Sequence, residues 1–100
     1  MWTLCCASKR AVDGLNKAPA LDLASHGIGL NVIAPIFIET PMTAPFLADD
    51  AFCGDMHARI KLGRFGRVED MTGAAVYLAS EPSALVTGAS LVVDGGWTAD

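Results

Sequence analysis

The 100-residue sequence has no apolar run near the roughly 18 to 20 residues that a membrane-spanning helix requires. Its cysteines are Cys5, Cys6 and Cys53, an odd count with one adjacent pair, which is neither a disulfide framework nor a metal-ligand spacing. The opening Met-Trp-Thr-Leu-Cys-Cys-Ala-Ser-Lys-Arg puts its charges after a short apolar stretch, the reverse of a secretory signal. A reducing, cytoplasmic location is the expectation. Basic residues are few: seven Lys and Arg against eleven Asp and Glu leave a formal charge of −4. They are scattered, so no nucleic-acid or anionic-membrane surface is expected. His26 and His57 have no carboxylate or cysteine at ligand spacing and read as surface histidines, with no metal site. A glycine-rich strand-to-helix turn is also missing, and with it the phosphate cradle of a dinucleotide site.

What the chain does have is apolar residues, 52% of the total, with mean hydropathy +0.40. That is high for one small domain, so the excess is expected to meet a partner or a larger body. The central stretch is 28 to 41, Ile-Gly-Leu-Asn-Val-Ile-Ala-Pro-Ile-Phe-Ile-Glu-Thr-Pro. Leu30, Val32, Ile33 and Ala34 leave little polar alternation, so this strand expects cover on both faces, as in a parallel sheet flanked by helices. Pro35, without an N–H, is expected to end its ladder. The loop from Ile36 to Pro41 then lies at the carboxyl end of a parallel strand, where open α/β sheets place ligands, and Thr40 is a candidate there.

Before that strand, Ala7 to about Ser25 has helical spacing, with Pro19 predicting a kink or a weakened helix and Gly27 a stop. After it, 40 to 61 has one or two short helices and reads equally as a lid-like segment or as a solvated connector. Leu62 to Arg67 is a turn, in which Arg64 and Arg67 read as turn and first-turn helix residues. Val68 to about Ser80 is a helix with Met71, Ala75 and Leu78 on one face and Glu69 and Asp70 complementing its dipole. Ser90 to Val93 is a last strand, ended by Asp94-Gly95-Gly96. The fold expected is α/β: the C-terminal part of a Rossmann-like doubly wound parallel sheet, incomplete, with about three helices and two strands.

Five pieces converge on one family. They are Cys-Cys-Ala-Ser-Lys-Arg-Ala-Val-Asp-Gly-Leu at 5 to 15, Asn-Val-Ile-Ala-Pro-Ile-Phe-Ile-Glu-Thr-Pro-Met at 31 to 42 and Leu-Gly-Arg-Phe-Gly-Arg-Val-Glu-Asp at 62 to 70. Leu-Ala-Ser at 78 to 80 and Thr-Gly-Ala-Ser-Leu-Val-Val-Asp-Gly-Gly-Trp at 87 to 97 complete the set. In this order and spacing the chain resembles the carboxyl-terminal portion of a short-chain dehydrogenase/reductase, and residues 1–100 read as a partial domain without the amino-terminal dinucleotide-binding half.

The resemblance implies an NAD- or NADP-dependent oxidoreductase of alcohols or ketones. Lys9 matches the family's lysine, which hydrogen-bonds the nicotinamide ribose and lowers the pKa of a tyrosine one helical turn away. Cys5 occupies that tyrosine position. Its thiol has a lower reference pKa than a phenol but a much shorter reach, so it reads as a small unreactive residue. Pro35, Ile38 through its backbone and Thr40 through its hydroxyl match the loop that holds the nicotinamide carboxamide, and Ile36 stands where the family has glycine. The chain alone is expected to be inactive and to hold the cofactor poorly. The expected partners are a second copy or a complete subunit of the family. The alternative is a non-catalytic oligomerisation or interaction module built on the family's subunit interface, the 68-to-80 helix and the 90-to-93 strand.

Overall fold

A computed structural model describes residues 2–99. The elements are α1 (Trp2–Ala24), β1 (Val32–Pro35), α2 (Ala44–Leu47), α3 (Asp50–Arg59), α4 (Val68–Leu78), a 3₁₀ turn (Glu81–Ser83) and β2 (Ser90–Val93). Four helices therefore stand where about three were expected. β1 and β2 form one two-stranded parallel sheet, which gives the α/β class expected of an incomplete doubly wound domain. The chain divides into two units, Met1–Val32 with Val76–Leu91 and Ile33–Ala75 with Val92–Asp100.

In the first unit α1 starts five residues earlier than the spacing predicted and runs through Pro19 without a break. An internal proline costs about 3 kcal/mol of helix stability. Here its neighbours hold the turn, because Asn16 and Ala20 are buried and the Asn16 amide Nδ2 donates to the Ala89 carbonyl at 3.1 Å. The stop at Gly27 is as expected. Gly27 has φ +69°, Ile28 N–H bonds Leu23 O at 3.3 Å and Gly27 N–H bonds Ala24 O at 3.0 Å, the pattern of a left-handed glycine cap. Asn31 then staples the approach to β2, its Nδ2 donating to Val86 O at 2.9 Å and its Oδ1 accepting from Ala89 N–H at 3.0 Å.

The ladder bonds Val32 N–H to Ala89 O and Ile36 N–H to Val93 O. β1 ends at Pro35, as expected, and the Ile36 N–H bond to Val93 O closes the ladder. In a parallel strand alternate residues donate to one neighbour, so Pro35, out of phase with 32 and 36, turns its missing donor away from β2. The expected cover on both faces is not present: Val32, Ile33 and Ala34 are half-buried and Pro35 is exposed.

In the second unit the core is Ile60, 2% exposed, and Phe65, 6% exposed. Gly95, with φ +63°, lies so close that an added Cβ would meet Ile60 Cγ2 at 2.7 Å. The Asp94-Gly95-Gly96 turn ends β2 as predicted, and Asp94 Oδ2 accepts from both the Thr98 N–H at 2.9 Å and the Thr98 hydroxyl at 2.7 Å. α3 is capped by Asp49, whose Oδ1 accepts from Ala51 and Phe52 N–H. On α4 the half-buried positions are Met71, Ala74 and Leu78, so Ala74 takes the inward place predicted for Ala75.

Among the described residues only Ala20, Ile60 and Phe65 are buried apolar side chains, while Leu4, Leu21 and Leu85 are 78%, 79% and 98% exposed. No described helix is long and apolar enough to cross a membrane.

Candidate functional site

The loop after β1 is held from two sides. On one side Gly66 N–H donates to Phe37 O at 3.0 Å, Glu39 N–H donates to Gly66 O at 2.8 Å, and Ile38 and Gly66 form a parallel bridge. An added Cβ at 66 would lie 2.5 Å from Ile38 Cδ1, the end of a side chain that can turn aside, and 3.5 Å from the Phe37 carbonyl oxygen. On the other side Thr43, absent from the residues singled out in the sequence, organises the turn. Its Oγ1 lies 2.6 Å from Ile38 O, 2.9 Å from Thr40 N and 3.2 Å from Thr40 Oγ1.

Proton bookkeeping assigns the roles. The short Thr43 Oγ1 to Ile38 O distance uses the Thr43 hydroxyl proton, and the Thr40 N–H donates to Thr43 Oγ1. The Thr40 hydroxyl keeps its own proton, free to point to Thr43 or outward. Thr40 also lines an open depression with Glu39, Pro41, Ala44, Leu47 and Ala48. The two threonines, three apart ahead of a helix, are a sequence signal that local hydroxyl-to-backbone turns would explain.

Among the other candidates, Ile38 is half-buried and Pro35 exposed at the end of β1. Ile36 lines a cavity of about 180 Å³ with Leu62, Met71 and Val93. Lys9 and Cys5 lie in the first unit, one turn apart on α1, both exposed. The Ser8 hydroxyl donates to the Cys5 carbonyl at 2.9 Å. The one tyrosine of the sequence, Tyr77, is on α4, three helices downstream of position 5 on α1.

Arg64 and Arg67 serve the start of α4. Arg64 forms a two-pronged pair with Asp70, at 2.6 and 2.8 Å, and the Arg67 N–H donates to Asp70 Oδ2 at 2.7 Å. The Arg64 hydrogen bonds, followed by the Arg67 N–H, hold the Asp70 carboxyl well below the usual carboxylate range. Asp94 is lowered in the same sense, chiefly by the Thr98 hydroxyl. The described residues contain no cluster of three His, Cys, Asp or Glu able to hold a metal ion.

Two parallel strands with four helices along the chain make an incomplete, Rossmann-like α/β arrangement. A family described as enoyl-(acyl carrier protein) reductase matches residues 2–98. The 2-dehydro-3-deoxy-D-gluconate 5-dehydrogenase of Bacillus subtilis (strain 168) is 47% identical over 91 residues, 91% of this chain and 36% of that protein. The gluconate 5-dehydrogenase of Gluconobacter oxydans (strain 621H) is 44% identical over 92 residues, 92% of this chain and 36% of that protein. A crystal structure of a gluconate 5-dehydrogenase from Burkholderia cenocepacia J2315, in complex with NADP and tartrate, superposes with a TM-score of 0.90 at 40% identity, covering 94% of this chain and 37% of that one. The chain belongs to the short-chain dehydrogenase/reductase family. It spans 36% of the length of these curated relatives.

Proposed function

We propose that this chain is the nicotinamide-side portion of an NAD(P)-dependent oxidoreductase acting on an alcohol or ketone. The observation that carries the reading is the loop from Pro35 to Thr43, whose Ile38 backbone and Thr40 hydroxyl are fixed by one threonine and one close-approaching glycine. These groups fit the amide end of a nicotinamide: the Thr40 hydroxyl has a donor to spare, and the Ile38 carbonyl has a second lone pair. The pyrophosphate end has no counterpart here. The described glycines with positive φ are 27, 63, 88, 95 and 96, and none of them turns a strand into a helix.

When bound, NAD(P) supplies the hydride acceptor or donor. By the family resemblance, Pro35, Ile38 and Thr40 would orient the carboxamide, and Lys9 would hydrogen-bond the ribose and favour the ionised form of a proton donor one turn away on α1. Cys5 stands at that donor position. Its side chain ends several bond lengths short of a phenol oxygen, and a misplacement of about 1 Å already costs on the order of 10²-fold. The chain alone is therefore inactive. The dehydrogenases among the relatives support the alcohol or ketone class, and the sugar acids in their names support a polyhydroxylated substrate.

The test is co-expression with the amino-terminal portion of the Gluconobacter oxydans relative, read by NAD(P)H fluorescence and turnover. Cofactor binding is expected in the pair and not in the chain alone, and Cys5→Tyr should raise turnover of the pair at least 10²-fold. Absence of binding in every combination overturns the cofactor reading. Turnover by the unaided chain that disappears in Lys9→Ala overturns its inactivity.

A second reading has its own support. On α4 and β2, Val68, Val76, Tyr77 and Val92 are 59%, 62%, 43% and 49% exposed. That is apolar surface suited to a second copy or a complete family subunit, as a non-catalytic interaction module.

A further inference from the structure

Four rings and one guanidinium in the second unit form a continuous chain. Phe46 of α2 lies 6.2 Å from Phe52 of α3, and Phe52 meets Phe37 edge to face at 5.6 Å and 89°. Phe37 in turn meets Trp97 at 6.4 Å and 63°, and the Arg59 guanidinium stands 5.5 Å from the Trp97 ring centre. α3 is thereby tied near both ends, through Phe52 to the loop after β1 and through Arg59, its last residue, to the turn after β2. No residue of α3 is buried, and it is held by these ring contacts together with His57, whose ring lies 4.4 Å from that of the buried Phe65, and Cys53, whose Sγ lies 3.0 Å from Leu47 O.

Phe37 is the ring that touches both Phe52 and Trp97, and its backbone is held by hydrogen bonds on the loop after β1. Its carbonyl accepts from Gly66 N–H, and the next residue, Ile38, bridges Gly66 and accepts from the Thr43 hydroxyl. We infer that Phe37 is a latch joining the loop after β1 to the α2–α3 segment, so that the two move as one body. Its consequence rests on the cofactor-loop reading: an occupant of the loop sets the position of the segment that follows it. The latch itself does not need that reading.

Hydrogen–deuterium exchange on the whole chain, resolved to short peptides, tests it without any ligand. Phe37→Leu keeps an apolar side chain but removes the ring, and is expected to speed exchange of amides 50–59 about tenfold while α1 amides are unchanged. Coupling is reciprocal, so Phe52→Leu on α3 should speed exchange at the Glu39 and Thr40 amides of the loop. Unchanged exchange of 50–59 in Phe37→Leu, or of the loop amides in Phe52→Leu, overturns the latch. So does a wild-type α3 that exchanges at the rate of an unfolded peptide. Should Phe37→Leu loosen every segment, Arg59→Gln decides, because it removes only an exposed cation: a local rise in 50–59 supports the latch and no rise overturns it. Loss of cofactor binding in the co-expressed pair leaves these exchange rates unaffected, so the two readings fail separately.

Discussion

A single hydroxyl does more for the loop after β1 than any residue with an evident chemical role. Thr43 Oγ1 donates to Ile38 O at 2.6 Å and accepts Thr40 N–H at 2.9 Å. Thr43→Val keeps the shape and removes both bonds, leaving a part-buried N–H and C=O to find water. The expected loss is about 1 to 2 kcal/mol in urea unfolding, with Thr43→Ser close to wild type. Asp70 offers a second residue-level outcome with a defined sign. Its folded pKa lies below its unfolded value, so its contribution is present above about pH 4 and fades as pH falls through the lower folded value. The unfolding midpoint should therefore drop between about pH 4 and about pH 2, and Asp70→Asn should flatten part of that slope. The pair is exposed, so added salt should shrink the difference. Of these residues the sequence marked Thr40 and Ile38 through a family motif. Gly66 stood in another such motif without a role, and Thr43 was not marked, because the value of each lies in hydrogen bonds across a turn or between segments, which spacing does not show.

The helices show how local chemistry and packing divide the work. α3 has a weakly apolar face and no buried residue, and its start is set by the Asp49 cap. Asp49→Ala is expected to cost about 1 kcal/mol and to lower helical circular dichroism, and Asp49→Asn to restore most of it. α1 is the opposite case. It spans Pro19, with the buried Asn16 and Ala20 on either side of the proline. The start of α4, its acidic first turn and the glycine stop of α1 were readable in advance, since caps and dipoles act within one turn. The strand 90 to 93 was readable for a similar reason, being bounded by Thr87-Gly88 and Asp94-Gly95-Gly96. The bonding of β1 was not readable: the Asn31 bonds and the phase of the ladder at Pro35 depend on a partner strand more than 50 residues away in the sequence.

For the molecule as a whole, the deciding number is how little apolar surface is covered. Ala20, Ile60 and Phe65 are the buried apolar side chains among the described residues, against a composition that is 52% hydrophobic. Surface of that kind associates, so light scattering coupled to size-exclusion chromatography is expected to give a mass above the 10.4 kDa of one chain. A monodisperse 10.4 kDa species with a helical spectrum would count against both partner readings. By itself the sequence determined the family, the α/β class, the two strands and the stops of the helices. Each of these is written in short segments, in turn residues and in an order of motifs that needs no distant contact. Only the tertiary structure decided that Thr43 and Gly66 shape the loop, that Phe37 links it to α3, that Pro35 turns its missing donor away from β2 and that so few apolar side chains are fully buried. Those facts depend on which atoms meet across the fold.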